Sequence, residues 1–181
     1  MLAGCGDGDD NNAPDSTQAG GAQASGAKAT RAVELIPDLV PLGFLADPSE
    51  RDPAAVAGQD AHRALFQQQA GAKLGARVDA TLHADVATAT SQYATLSEAL
   101  RKPPPDLFGG ASTQADAEAT GIGDQSKAYV TAQPDKDGNR VWTDVYRFGR
   151  SVVIVQVLGT SEPEALKARR SIAQLIAAKA P

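Results

Sequence analysis

VWTDVYRFGRSVVIVQVL, residues 141–158, is the stretch of sequence that decides the fold. β-Branched and aromatic residues dominate both of its halves, which is typical of strands. Between the halves lies Gly149-Arg150, and glycine at the first position of a two-residue loop favours a type II′ turn. We therefore predict an antiparallel hairpin with strands over 141–148 and 151–158, in which Phe148 pairs with Ser151.

Both faces of this predicted hairpin carry apolar side chains. In the register set by the turn, Trp142, Asp144 and Tyr146 share one face with alternate valines of the second strand. One face has to pack against helices, and an aromatic and acidic set on the other would suit a small molecule or a peptide. These three residues are therefore our candidate ligand groove. The alternative is that the apolar segment 39–45 covers this face as ordinary core.

A helix is expected after the hairpin, from residue 161 to about residue 179. Ser161 and Glu164 have the spacing of a capping box, and Pro163 suits the first turn of a helix. Arg169 and Arg170 are expected to lie off its apolar face. The residues of that apolar face are Ala165, Ala168, Ile172, Leu175 and Ile176.

Residues 77–84 show the clearest alternation in the chain, with Arg, Asp, Thr and His on one face and Val, Ala and Leu on the other. A period of two predicts a half-buried strand. The threonine-rich residues 86–93 would return beside it as a second strand. Thr95 and Glu98 then fit a capping box, and the short helix that they open would stop at the prolines beginning with Pro103.

The remaining segments complete the predicted order of elements. Residues 33–52 are apolar but interrupted by prolines, which exclude a helix interior and a central strand. A helix is expected over 53–70, because Asp52-Pro53 suits an N-cap followed by proline at the first helical position. Residues 127–133 are expected as a strand, and residues 134–139, rich in Pro, Asp and Gly, as the turn before the hairpin.

This order of hairpins and helices predicts an α+β fold. We expect a single two-layer domain over residues 33–181, with an antiparallel sheet of about five strands and the helices packed on one face. A chain of 181 residues is long enough for one such domain. Residues 1–32 are expected to be a disordered tether, because no large apolar residue occurs between Gly6 and Thr30.

The only cysteine of the chain ends the sequence Leu2-Ala3-Gly4-Cys5. These residues resemble the lipobox of bacterial lipoproteins, in which the cysteine receives a diacylglycerol and palmitate and becomes the mature N-terminus. The resemblance implies a lipid on Cys5, a signal segment ahead of Met1, and an extracytoplasmic protein anchored to the cell membrane. Two acyl chains suffice for stable anchoring. The alternative is an incidental cysteine in a disordered tail.

A second resemblance covers roughly the last 60 residues. Residues 123–126, Gly-Asp-Gln-Ser, lead into a predicted strand, residues 146–150, Tyr-Arg-Phe-Gly-Arg, lie at the hairpin, and an alanine-rich helix closes the chain. This pattern is similar to one found in uncharacterised bacterial surface lipoproteins. The resemblance implies a small extracytoplasmic α+β domain, and it implies no particular reaction.

Charge and composition exclude several classes of protein. A net charge of -5, a pI near 5.0 and only 4% aromatic residues argue against a nucleic-acid binder, which needs a basic surface. A single cysteine excludes an intrachain disulfide and a cysteine-based zinc cluster. The longest run of large apolar residues, 152–155, is far shorter than the ~20 residues needed to span a bilayer.

Few residues suggest chemistry. His62 falls on the predicted helix with no carboxylate at helical spacing, so we interpret it as a surface or boundary residue. His83 falls on the polar face of the predicted strand, where a solvated position is favoured over a weak metal or proton site. Asp135, Asp137 and Asn139 begin like a calcium loop, but the glycine is fourth rather than sixth and the terminal glutamate is missing. We predict no catalytic residue, no metal site and no cofactor.

The sequence therefore predicts a lipid-anchored cell-envelope protein with a non-enzymatic, sensor-like domain that binds a ligand or a protein. Its expected partners are the membrane, through the lipid on Cys5, a small molecule or peptide, and another envelope protein. One alternative is a structural or assembly protein that acts through protein contacts alone. A small secreted hydrolase is the third class, and the missing nucleophile and base motifs count against it.

Overall fold

The computed structural model describes residues 28–48, 59–104, 107–116 and 121–181. These residues form one seven-stranded sheet and three α-helices. The strands are β1 (Phe44–Ala46), β2 (Asp60–Gln68), β3 (Gly75–Leu82), β4 (Thr113–Ala115), β5 (Gln125–Thr131), β6 (Arg140–Phe148) and β7 (Ser151–Gly159). The helices are α1 (Ala32–Leu35), α2 (Val86–Arg101) and α3 (Glu162–Lys179). The strands lie in the order β1-β2-β3-β7-β6-β5-β4, and all neighbouring pairs are antiparallel.

The predicted hairpin is formed by β6 and β7. Phe148 pairs with Ser151, as expected. The backbone φ is positive at Gly149 (+53°) and not at Arg150, which agrees with a type II′ turn. Strand β7 also pairs with β3 along its whole length, so the hairpin lies in the middle of the sheet.

The helices cover opposite faces of this sheet. Val145 and Val152 pack in one cluster with α2, whereas their sequence neighbours Tyr146 and Val153 pack with α1 and α3. The prediction of an antiparallel α+β fold is confirmed. The expected two layers with helices on one face, and the count of about five strands, are wrong. The physical reason is that β6 and β7 are apolar on both faces, and such strands need cover on both sides.

The helix predicted over 53–70 is wrong where the structure describes it. Residues 60–68 form β2, which pairs with β3 from Asp60 opposite Leu82 to Gln67 opposite Gly75. The part of the predicted helix over 53–58 lies outside the described residues. The small and polar residues of β2 are compatible with the periodicity of a helix as well as with that of a strand. Because strand preference depends on cross-strand neighbours, pairing with β3 determines the structure.

Helix α2 replaces a predicted strand and a predicted short helix. The side chain of Asp85 accepts a hydrogen bond from the Thr88 backbone N–H at 2.7 Å, so the helix begins ten residues earlier than the expected cap at Thr95. Thr95 lies inside the helix, where its hydroxyl donates to the Ser91 carbonyl at 3.0 Å. The helix ends at Arg101, before the prolines, as predicted.

The chain ends also differ from expectation in detail. Helix α3 spans the predicted residues, but Ser161 forms no side-chain cap. Ala29 and Ala32, which the sequence assigns to the tether, are buried, and the Ala29 N–H donates to the Lys179 carbonyl at 2.9 Å. Residues 1–27, which include Cys5, lie outside the described residues.

The two motifs of the second resemblance meet in space. The Asp124 carboxylate accepts from the Gly149 N–H at 2.7 Å and lies 3.0 Å from the Arg147 guanidinium. The Gln125 side-chain oxygen accepts from Arg147 Nε at 2.8 Å. Gly123 has φ +86°, and a Cβ there would lie 2.8 Å from the Arg147 carbonyl oxygen. The two motifs therefore form one clamp on the end of the hairpin.

Candidate ligand groove

The groove proposed from the sequence is not an open surface. Trp142, Asp144 and Tyr146 do share one face, but they are only 3%, 1% and 0% exposed. Helix α3 covers this face together with the N-terminal apolar segment, since Leu39 and Phe44 belong to the same buried cluster. Among the described residues, these three side chains therefore form core, which was the alternative interpretation of the sequence.

Asp144 has a structural partner that the sequence analysis missed. Arg169 of α3 is 1% exposed, and its Nε and Nη2 donate to the two Asp144 carboxylate oxygens at 2.7 and 2.6 Å. Arg169 Nη1 donates to Asp116, just after β4, at 2.6 Å. The expectation that Arg169 lies off the buried face of α3 is wrong, because two carboxylates from the sheet satisfy its charge inside the core.

The protonation equilibria of this triad reflect its burial. Burial raises the pKa of the Asp144 carboxyl, and its hydrogen bonds with Arg169 act in the opposite direction. Burial by itself would lower the pKa of Arg169, but its contacts with Asp144 and Asp116 raise it above the ordinary value. The triad thus attaches α3 to the sheet through three charge-assisted hydrogen bonds.

The two histidines occupy different environments. His62 lies on β2 and is partly exposed, not on a helix. His83 is only 2% exposed, which contradicts the expectation of a solvated position. Its backbone N–H donates to the Arg150 carbonyl at 3.0 Å, but neither ring nitrogen has a hydrogen-bond partner within the described residues. Burial lowers the pKa of His83, against the effect of the nearby Asp85 carboxylate.

Within the described residues, the sheet is most open beside α2. This helix packs over β4, β5, β6 and β7, and no helix of the described residues covers β2 and β3 on the same face. Side chains that point to that face are partly exposed along β3, at Arg77, Asp79 and Thr81. On the opposite face of the same strand, Ala76, Val78, Ala80 and Leu82 are buried.

Three adjoining cavities form one groove along this face, which we call the α2-side groove. A first cavity of about 160 Å³ lies under α2 and is lined by Arg77, Asp79, Leu96, Ala99, Leu100, Ile154 and Gln156. A second, of about 250 Å³, is lined mainly by Leu65, Gly75, Arg77, Phe108, Val141, Gln156 and Leu158. Phe108, Val141 and Leu158 also line a third cavity of about 790 Å³, which reaches the turn at Asp135.

The chemistry of the groove combines apolar walls with one fixed ionic cluster. The Asp79 carboxylate lies between two guanidinium groups, 2.5 Å from Arg63 and 2.7 Å from Arg77. Leu158, which lines the second cavity together with Arg77, is 42% exposed. A mostly apolar groove with a few fixed polar groups is the usual composition of a ligand site.

Phe108 closes one side of the groove in an uncommon conformation. Its backbone φ is +55° with ψ 28°, the left-handed region that a bulky residue rarely occupies. The aromatic ring also packs against the cluster under α2. Strained backbone of this kind is concentrated at ligand sites, where the surrounding structure maintains it.

A fourth cavity lies on the other side of the sheet. It measures about 280 Å³, and its lining includes Leu42, Phe44, Gln68, Glu164 and Lys167. The charged residues of this lining are Glu164 and Lys167, which occupy exposed positions in one turn of α3. The cavity lacks the fixed ionic cluster of the α2-side groove, and it provides a matched comparison site.

Other sites considered in the sequence have plain structural roles or lie outside the described residues. The Asp135 carboxylate accepts hydrogen bonds from the backbone N–H groups of Asp137 and Asn139, at 2.9 and 2.8 Å, which makes this segment a turn. Among the described residues, no three or more His, Cys, Asp or Glu side chains could hold a metal ion. In the same part of the chain, no helix is long and apolar enough to cross a bilayer.

Part of the α2-side groove could be predicted from the sequence. The alternation over 77–84 correctly placed Arg77 and Asp79 together on the polar side of a strand. Nothing local indicated that Leu158 and Val141 would lie beside them, because that proximity depends on the pairing of β3 with β7.

The fold and the groove define a helix-flanked antiparallel sheet with one half-open face. This fold is similar to the crystal structure of the extracellular domain of PknH from Mycobacterium tuberculosis, with a TM-score of 0.56 and 9% sequence identity. The similarity covers 81% of this chain and 94% of that chain. No protein-family model matches the sequence, and neither does any curated protein.

Proposed function

We propose that this chain is a lipid-anchored, extracytoplasmic domain of the cell envelope that binds a ligand without transforming it, in a sensor-like role. The observation that carries the binding function is the α2-side groove, where the mostly apolar second cavity adjoins Arg77 of the Arg63–Asp79–Arg77 cluster. The fold similarity to an extracellular domain supports a location outside the cytoplasm.

The anchoring part of the proposal depends on Cys5. In native protein from the membrane fraction, we expect mass spectrometry to find a diacylglycerol on this cysteine at the mature N-terminus. Replacing Cys5 by Ser should release the protein from the membrane without changing its fold. An unmodified N-terminus at Met1 in the membrane fraction would contradict the anchor and would leave the groove untouched.

Binding is tested with variants that fill the groove. Leu158 is 42% exposed on β7 and lines the groove, so Leu158→Glu should place a negative charge there and abolish binding. Leu175→Glu is the matched control, since Leu175 is 37% exposed on α3 at the other side of the sheet. Thermal shift and calorimetry against a panel of amphiphiles and peptides provide the measurement, with mass spectrometry of the recovered ligand to detect turnover.

The fluorescence of Trp142 does not report ligand binding in the groove. Trp142 is buried under α3 and does not line the groove, so its fluorescence is a poor probe of occupancy. If no compound raises the unfolding temperature, or if Leu158→Glu and the parent protein respond alike, the binding function of the groove is refuted.

A further inference from the structure

We infer that the α2-side groove takes a single-chain amphiphile with an anionic head, of the fatty-carboxylate class, and that Arg77 holds the head group. This inference rests on the proposed function, because it names the ligand class of the same groove. It follows from the position of one guanidinium group at the junction of two apolar cavities.

Charge at the head position favours an anion. Asp79 is the only carboxylate that lines the first two cavities within the described residues, and both of its oxygens already face guanidinium groups. The single carboxylate of Asp79 thus faces two guanidinium groups. An anionic head meets a site whose acid is neutralised, whereas a cationic head would face two guanidinium groups.

Arg77 has the geometry that a carboxylate requires. Its Nε and Nη2 contact Asp79 at 2.7 Å, so the acid fixes the plane of the guanidinium. A guanidinium has five N–H donors, and the pairing with Asp79 leaves donors directed elsewhere. The side chain is 36% exposed, the most exposed of the three charged groups, and it lines both the first and the second cavity.

The apolar part of the groove leads away from this head position. Leu158 and Val141 lie beside Gly75 in the sheet, two residues from Arg77 along β3. Val141 lies two residues along the strand direction and two strands across the sheet from Arg77. Together these offsets correspond to a distance of roughly 12 Å between the two residues. Gly75 has no side chain, which keeps the floor of the groove low at that point, and Phe108 forms its far wall.

The dimensions favour one hydrocarbon chain. The second cavity, of about 250 Å³, is lined mostly by apolar residues and adjoins Arg77. A second acyl chain would have to enter the third cavity, whose lining includes Gln133, Asp135, Lys136 and Asn139, and burying these polar groups against a hydrocarbon is unfavourable. The expected occupant of the groove is therefore a free amphiphile and not a bilayer surface.

The first experiment uses the unmodified chain and three probes that share a ten-carbon tail: decanoate and decyltrimethylammonium, each below its micelle concentration, and decanol below its solubility limit. Titration calorimetry should show decanoate binding at least about tenfold more tightly than the other two, because a hydrogen bond to a charged group contributes more than a neutral one. Raising the salt concentration should weaken decanoate binding and leave decanol binding unchanged.

Two variants assign the head group. Arg77→Gln should lower decanoate affinity at least about tenfold and leave decanol affinity unchanged. Lys167→Gln removes one positive charge from the cavity on the other side of the sheet and should change neither value. If Arg77→Gln fails to fold, the probe series and its salt dependence on the unmodified chain still decide.

Each failure has a distinct meaning. If decanol binds as tightly as decanoate, or if Arg77→Gln binds decanoate normally, the ligand class is wrong while the groove stays a binding site. Binding to anionic lipid vesicles without binding to free decanoate also overturns this inference. If Lys167→Gln, and not Arg77→Gln, loses binding, the ligand lies in the opposite cavity. If no probe or panel compound binds, the proposed function fails as well.

Discussion

Removal of Arg169 should be one of the most damaging single changes in the protein. In Arg169→Met, a chain of similar length keeps the packing of α3 but loses the cation. Asp144 is 1% exposed and accepts two hydrogen bonds from Arg169. It would then be a buried carboxylate without its main partner. Breaking a buried ion pair in this way costs about 3–5 kcal/mol.

That loss is a large share of the total stability of a domain, which is typically about 5–15 kcal/mol. Urea denaturation followed by Trp142 fluorescence measures it, because this buried tryptophan is the only one in the chain. Arg170→Met is the matched control, since Arg170 follows on the same helix and is exposed. A change there should stay below about 1 kcal/mol.

The double variant Arg169→Met with Asp144→Leu separates the charge from the packing. Exchanging a whole buried pair for apolar groups is often close to neutral, so it should recover a large part of the loss. The deficit of Arg169→Met should also shrink as the pH falls, because burial raises the pKa of Asp144 and the folded form then takes up a proton. A loss below about 1 kcal/mol in Arg169→Met would refute this account of the triad.

Two further substitutions test the clamp and the buried histidine. Gly123→Ala should cost about 1–3 kcal/mol, from positive φ and a Cβ that would lie 2.8 Å from the Arg147 carbonyl oxygen. Gly121→Ala has positive φ without a close contact, and an equal loss there in thermal unfolding would contradict the clamp. His83→Leu should abolish a decline in stability as the pH falls below 6.5, the ordinary pKa of histidine, since burial lowers that pKa and only the unfolded chain then binds the proton. His62→Gln should retain the decline in the same pH series of urea denaturations.

The central part of the fold could be predicted from sequence because its signals are local. The Gly149-Arg150 turn determined the register of β6 with β7, and the alternation over 77–84 identified β3. Helix α3 was predictable from its spaced apolar residues. In each case the residues that form the pattern and the residues that begin or end the element are neighbours in sequence. No distant contact was therefore needed to predict the element.

The wrong predictions concern residues whose structure is determined by contacts with residues far away in the sequence. Strand β2 is a strand because β3 is beside it, and the threonines of α2 are helical because the Asp85 cap and the cluster around Tyr93 outweigh their strand preference. Arg169 was assigned to the surface because nothing local shows that Asp144 and Asp116 converge on it from 25 and 53 residues away.

The site was misplaced for a related reason, which is how the two faces of the sheet are covered. One face is covered by α1, the N-terminal apolar segment and α3, and the other by α2. A helix is about 10 Å wide and neighbouring strands are about 4.8 Å apart, so a single helix cannot cover seven strands. Within the described residues, α2 packs over β4, β5, β6 and β7 and leaves the area over β2 and β3 without a helix. Packing demands apolar residues on the covered face of β3, at positions such as Val78, but on the open face it leaves residue type free. Arg77 and the cross-strand pair of Arg63 with Asp79 occupy those open positions, and the place of Arg77 in the lining of two apolar cavities is the ground for the proposed ligand recognition.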